Sequence, residues 1–177
     1  METRTGEAFE AGQPLTVEGR KLKVGDPAPD FSLEYLQDKD SSIRLVRLAD
    51  SAGKVRLLNV VPSLDTPVCH IQTRHWEHSR AELPPGVQLY TISMDLPFAQ
   101  TRWRSAEKVA HEALSAHQHE KFGRDYGVLI KEWRLLQRAV FVIDRNDRIA
   151  YVEYVNDQMM EPNYEAAMDA VRRVASG

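Results

Sequence analysis

The residues with the clearest chemistry are Pro62, Thr66 and Cys69 in the stretch Pro62-Ser63-Leu64-Asp65-Thr66-Pro67-Val68-Cys69. Cys69 is the only cysteine of the chain, so an intramolecular disulfide and a cysteine-based metal cluster are excluded by counting. Its thiol is either a buried hydrophobe or a reactive nucleophile. The local pattern bears on the choice. Pro62 closes an apolar run, Asp65 or Thr66 can cap a following helix, and Pro67 suits the first helical position. Cys69 then falls in the first turn of that helix, where unpaired N–H groups and the positive dipole end favour a thiolate over a thiol. Thr66 lies three residues earlier, which brings its hydroxyl towards the sulfur as a donor to the thiolate or an acceptor from a substrate hydroxyl. The prolines add rigid apolar cover without N–H donors.

Arg138 opens the run Arg138-Ala139-Val140-Phe141-Val142-Ile143-Asp144. A guanidinium at the mouth of a buried strand can hold a thiolate and polarise an incoming oxygen–oxygen bond. Each of these residues has a plainer explanation: packing for Cys69, capping for Thr66, a surface charge for Arg138. Spacing alone does not decide between the two sets.

The elements that must position these groups follow from periodicity. Residues 1–24 carry turn signals at Gly12 and Gly19 and are expected to form an N-terminal β-hairpin extension. Phe31-Ser32-Leu33 suggests a short strand. Val55–Val61 and Val87–Met94 are apolar, β-branched runs that predict buried strands. Between them the composition is helical, with Cys69, Trp76 and Leu83 seven apart on one face, and Pro84-Pro85-Gly86 is the expected stop. "FAQTRWRSAEKVA" predicts a second helix, residues 110–117 fit no single element, and "HEKFGRDYG" fits a short helix closed by Gly127. "RAVFVID" and "IAYVEYV" flank a turn, and Tyr164, Ala167, Met168, Val171 and Val174 form the apolar stripe of a last helix. The order is β-α-β-α, an irregular stretch, then β-β-α. It predicts an α/β fold, a thioredoxin-like mixed sheet flanked by helices, as a single domain over residues 1–177.

Bulk properties exclude whole classes of function. At 177 residues with 42% hydrophobic composition, the chain supports one substantial core. A formal net charge of -3 gives no basis for binding nucleic acid or an anionic membrane surface. No apolar run approaches the roughly 20 residues that span a bilayer, and the polar N-terminus lacks the apolar core of a signal peptide. A cytoplasmic location is expected.

Pro62, Thr66 and Cys69 match the Pro-x-x-x-Thr-x-x-Cys motif of the peroxiredoxins. Together, "LNVVPSLDTPVC", "SMDLPFAQTRW", "FGRDYGVLI", "RAVFVID" and "EPNYEAA" resemble the thiol peroxidase subfamily, in order, from about residue 8 to residue 172. The resemblance implies a thioredoxin-like fold and a homodimer. It implies that Cys69 is the peroxidatic cysteine, that Pro62 shields the thiolate, that Thr66 positions the hydroperoxide, and that Arg138 activates both. The backbone N–H groups of Val68 and Cys69 are expected to receive peroxide oxygens. No metal or organic cofactor is implied. The apolar residues of "DLPFAQTRW" are either the wall of a substrate groove or part of the core.

The subfamily usually places a resolving cysteine directly after an aromatic residue in the helix following "DLPFAQ". Here the aromatic is Trp103 and the next residue is Arg104. The expected reaction is therefore that of a one-cysteine peroxidase acting on H2O2 and organic hydroperoxides, with thioredoxin or a low-molecular-weight thiol as external reductant. The alternatives are a peroxide-sensing redox switch and a non-catalytic interaction module on the same fold. Arg104 itself is expected either to lend its charge to the active site or to lie on a solvated helix face beside Arg102. His70, His75 and His78 cluster in sequence, but no further ligand pattern completes a zinc site.

Overall fold

The computed structural model describes residues 1–177. In chain order the elements are β1 (Thr3–Glu10), β2 (Gln13–Glu18), β3 (Ser32–Leu36), β4 (Ile43–Arg47), β5 (Arg56–Val60), α1 (Pro67–Ser79), β6 (Gln88–Ser93), α2 (Pro97–Glu107), β7 (Glu112–Ser115), α3 (Lys121–Asp125), β8 (Leu129–Ile130), β9 (Leu135–Leu136), β10 (Ala139–Ile143), β11 (Ile149–Tyr154) and α4 (Tyr164–Ala175). A seven-stranded mixed sheet runs β11-β10-β5-β6-β7-β3-β4. The β5–β6 and β6–β7 pairs are parallel, and the pairs outside them are antiparallel.

Strand alternation sorts the side chains into two layers. Leu57, Leu89, Val140 and Val142 face one side, where Trp76 of α1 and Ala167, Met168 and Val171 of α4 cover them. Leu58, Val60, Tyr90, Ile92 and Phe141 face the other, against Phe31, Phe122 and Tyr126. By the same alternation Asn59 and Thr91 point towards α1, and Arg138, one residue before β10, joins that face.

The N-terminal hairpin forms as expected. Glu10 pairs with Gln13 across the two-residue turn Ala11-Gly12. Both turn residues have positive φ, 46° and 80°, the geometry that suits strand twist and that glycine adopts at least cost. The hairpin is built into the body of the protein. β2 pairs with β8 in a second sheet of order β1-β2-β8-β9, and Ala8, Leu15 and Val17 bury against Ile130.

Three details differ from the sequence expectation. α1 ends at Ser79, before the Pro84-Pro85-Gly86 stop, so Leu83 lies beyond the helix and the buried face is Cys69, Gln72, Thr73 and Trp76. The ambiguous stretch 110–117 contains β7, a central strand of the sheet. Strands β4, β8 and β9 are not anticipated by periodicity.

Candidate active site

The loop from β5 to α1 is fixed from outside itself. Asp95, just after β6, accepts from the Ser63 hydroxyl at 2.7 Å and the Leu64 N–H at 2.9 Å. A third bond, from the Ser93 hydroxyl at 2.8 Å, holds the carboxylate in place. Pro62 is buried and Pro67 occupies the first position of α1, with Thr66 at the N-cap.

The Thr66 hydroxyl does not reach Cys69 and does not cap the helix. It donates to the Ser63 carbonyl at 2.8 Å, because the extended N-cap backbone turns it towards the preceding loop. The Val68 and Cys69 N–H groups consequently find no backbone or side-chain acceptor. Two donors at the positive end of α1 are thus left for another partner.

Cys69 is fully buried, in a cluster with Val61, Leu64, Trp103, Val109 and Ala113. Arg138 Nη1 donates to its sulfur at 3.3 Å and to Gln72 Oε1 at 2.8 Å. Arg138 Nη2 donates to the Gln158 carbonyl at 2.7 Å, and the Arg138 N–H donates to Gln158 Oε1 at 2.8 Å. A donor-only guanidinium pinned on three sides is a fixed positive charge against the sulfur.

A cleft of about 550 Å³ opens on this arrangement. Pro62, Thr66, Val68 and Arg138 line its floor, and Trp133, Leu135 and Met159 supply apolar wall. Glu10, from the N-terminal hairpin, also lines it. The structure thus gathers Pro62, Thr66 and Arg138 on the cleft, with the buried Cys69 sulfur behind them in contact with Arg138. The "DLPFAQTRW" side chains do not line the cleft: Trp103 belongs to the Cys69 cluster and Phe98 is exposed.

Arg104 follows neither expectation. Its side chain is buried, donating to the Ala110 carbonyl at 2.9 Å and the Tyr35 hydroxyl at 3.3 Å, with the Tyr35 ring 5.5 Å away. It is turned towards β3 rather than towards Cys69. The α1 histidines diverge: His70 accepts from Trp103 Nε1 at 3.3 Å, while His75 stacks on Tyr164 at 3.6 Å. Gln72, Asp95 and Gln158 are site residues that sequence reasoning missed. Gln72 had a signal, since it sits three residues after Cys69 on the same helical face; Gln158 had none.

The arrangement agrees with what the chain is similar to. The redoxin family matches residues 23–168. The thiol peroxidase of Halalkalibacterium halodurans is 47% identical over 162 residues, 91% of this chain and 94% of that protein. The chain belongs to the thiol peroxidases of the redoxin family. The Bacillus subtilis thiol peroxidase is 46% identical over 162 residues, 91% of this chain and 93% of its own. A peroxiredoxin-like protein from Aquifex aeolicus superposes with a TM-score of 0.83 at 33% identity, covering 96% of this chain and 98% of its own. Thiol peroxidase from Chromobacterium violaceum, with a TM-score of 0.82 at 20% identity over 94% of this chain and 95% of its own, supports the thioredoxin-like fold alone.

Proposed function

We propose that this protein is a thiol-dependent peroxidase that reduces H2O2 and organic hydroperoxides at Cys69 by a one-cysteine mechanism. The observation that carries the reading is the Arg138 guanidinium 3.3 Å from the Cys69 sulfur while also lining the cleft. A hydroperoxide enters between Pro62, Thr66 and Arg138. The free Val68 and Cys69 N–H groups receive its oxygens, and Thr66 Oγ1, whose proton is already given to Ser63, accepts from the terminal hydroxyl. The Cys69 thiolate attacks that terminal oxygen. The S–O bond forms as the O–O bond breaks, giving the sulfenic acid, which keeps the terminal hydrogen, and an alkoxide or hydroxide that takes a proton from solvent to leave as alcohol or water. Arg138 and the helix end stabilise the negative charge passing between the oxygens. One thiol then converts the sulfenic acid to a mixed disulfide and water, and a second thiol releases Cys69. That thiol comes from outside the chain, from thioredoxin or a small thiol, because Cys69 has no companion.

Family membership supports action as a homodimer in the cytoplasm, and no helix here is long and apolar enough to cross a membrane. Light scattering on the purified protein checks the assembly. The reaction is tested by stopped-flow with H2O2 and cumene hydroperoxide. Cys69→Ser is expected to abolish consumption, and Arg138→Lys to slow it about a hundredfold, the usual scale for losing one fixed charge-stabilising donor. Wild-type rates no faster than free cysteine would reject the reading.

A further inference from the structure

On the side of Arg138 away from the cleft, the core contains a line of polar side chains that the peroxide chemistry does not touch. Gln72, Asn59, Thr91 and His111 are all buried. Arg138 Nη1 bonds Gln72 Oε1 at 2.8 Å, and Gln72 Nε2 bonds Asn59 Oδ1. Asn59 Nδ2 bonds Thr91 Oγ1 at 2.9 Å and Thr73 Oγ1 at 3.1 Å. Thr91 Oγ1 lies 2.7 Å from His111 Nε2, and His111 Nδ1 lies 2.6 Å from Glu77 Oε2. Four elements contribute: β5, β6, α1 and the turn entering β7.

The direction of the links is set from the two ends, a guanidinium that only donates and a carboxylate that only accepts. A guanidinium only donates, so Gln72 must turn its oxygen to it and its NH2 to Asn59. Asn59 then presents its oxygen to Gln72 and its NH2 to Thr91. Thr91 accepts that bond; at the far end the Glu77 carboxylate can only accept, so a neutral His111 keeps its proton on Nδ1 and leaves Nε2 bare to take the Thr91 proton. All donors run one way, from a cation beside the sulfur to an anion at the far end, and bonds aligned in this sense strengthen one another.

We propose that Thr91, His111 and Glu77 are positioning residues for Cys69, acting by locking the Gln72 amide so that its oxygen holds Arg138 against the sulfur. Without the lock, Gln72 and Asn59 can flip together, and Gln72 then shows NH2 to a donor-only guanidinium. The groups facing His111 support the bare Nε2. Burial above all keeps the ring neutral against the pull of Glu77 from α1, and Arg104 on α2 and Arg80 after α1 reinforce burial. Arg104 also braces the same anchor, because it bonds the carbonyl of Ala110, whose N–H donates to Glu77 Oε1 at 3.0 Å.

The proposal rests on the roles given above to Cys69 and Arg138, and its test separates the two. Histidine-selective 15N NMR of the wild-type protein at neutral pH is expected to show His111 as the neutral Nδ1–H tautomer; an Nε2–H tautomer or an imidazolium overturns the lock. The second readout is alkylation of Cys69 by iodoacetamide without peroxide. The ratio of its rate at about pH 7 to its alkaline plateau reports the thiolate fraction. Thr91→Val is expected to lower that ratio about fivefold, the scale of one lost hydrogen bond, and Thr91→Ser, which keeps the hydroxyl, to restore it. An unchanged ratio in Thr91→Val overturns the proposal, since a role confined to packing moves stability alone. A slow wild-type reaction with H2O2 rejects the peroxidase reading and leaves the alkylation result interpretable. If Thr91→Val does not fold, the tautomer of the wild type still decides.

Discussion

Arg104 is a guanidinium held inside the protein without a carboxylate. Its bonds go to the Ala110 carbonyl and the Tyr35 hydroxyl, and its charge sits over the Tyr35 ring. Two of its three nitrogens are matched while Nε finds no partner, so the site rests on the Nη1 and Nη2 bonds, whose loss leaves buried polar groups with their full desolvation cost. Arg104→Ala is therefore expected to destabilise the fold by about 2 kcal/mol, read by urea denaturation. Arg104→Lys should not rescue it, since a single ammonium cannot reproduce the planar fork; full rescue by lysine would contradict the argument. The fate of this side chain was not legible in the sequence. Its partner Tyr35 is 69 residues away on a strand of another hairpin, and nothing in the spacing of α2 announces it. Cys69 and Arg138 are as far apart in sequence, and their meeting was expected from the resemblance to the peroxiredoxin motifs, not from spacing. One begins a helix and the other opens a buried strand on the helix-bearing face, and those positions alone are set by local patterns.

At the level of elements, α1 both opens the site and anchors it. Its N-terminal turn presents Cys69, and near its C-terminal end Glu77 accepts from the Ala110 and His111 N–H groups at 3.0 and 3.2 Å as well as from the His111 ring. Burial works against the charge on Glu77, but these bonds outweigh it and bring the carboxyl from 4.5 down to about 2. A carboxyl depressed on folding contributes stability that is fully present above its unfolded value and is lost as pH falls through the folded one. Glu77→Gln is thus expected to be less stable than wild type by about 2 kcal/mol at pH 7. The gap should close as pH falls from about 4.5 towards 2; paired urea melts measure this, and a gap constant with pH would show that the charge is not what tethers α1. The same pairing explains what periodicity missed. β5, β6, β10, β11 and α4 are long enough to carry their own pattern. β8 and β9 are two residues each and exist only through pairing with β2 and with each other. β7 hides in the histidine-rich stretch "HEALSAHQH" because only two of its four residues, Ala113 and Leu114, are apolar, too short a run to show a period, although Ser115 is buried with them.

For the whole molecule, the decisive quantity is the number of thiols. The sulfur is completely buried beneath a floor shared with Arg138, so two Cys69 residues of different chains cannot meet while each keeps this fold. The structure itself therefore offers no second sulfur to the sulfenic acid. In the absence of added thiol, each chain is expected to consume one equivalent of H2O2 and stop, gaining a single oxygen, about 16 Da by intact mass, that dimedone can trap. Further peroxide should add oxygen to the same sulfur and inactivate the chain rather than turn it over. Supplying thioredoxin or a small thiol should restore many turnovers, the outcome that separates an enzyme from a redox switch, which would stay oxidised. A disulfide-linked dimer, or steady consumption of peroxide without thiol, would mean that the buried sulfur finds a partner this architecture does not provide.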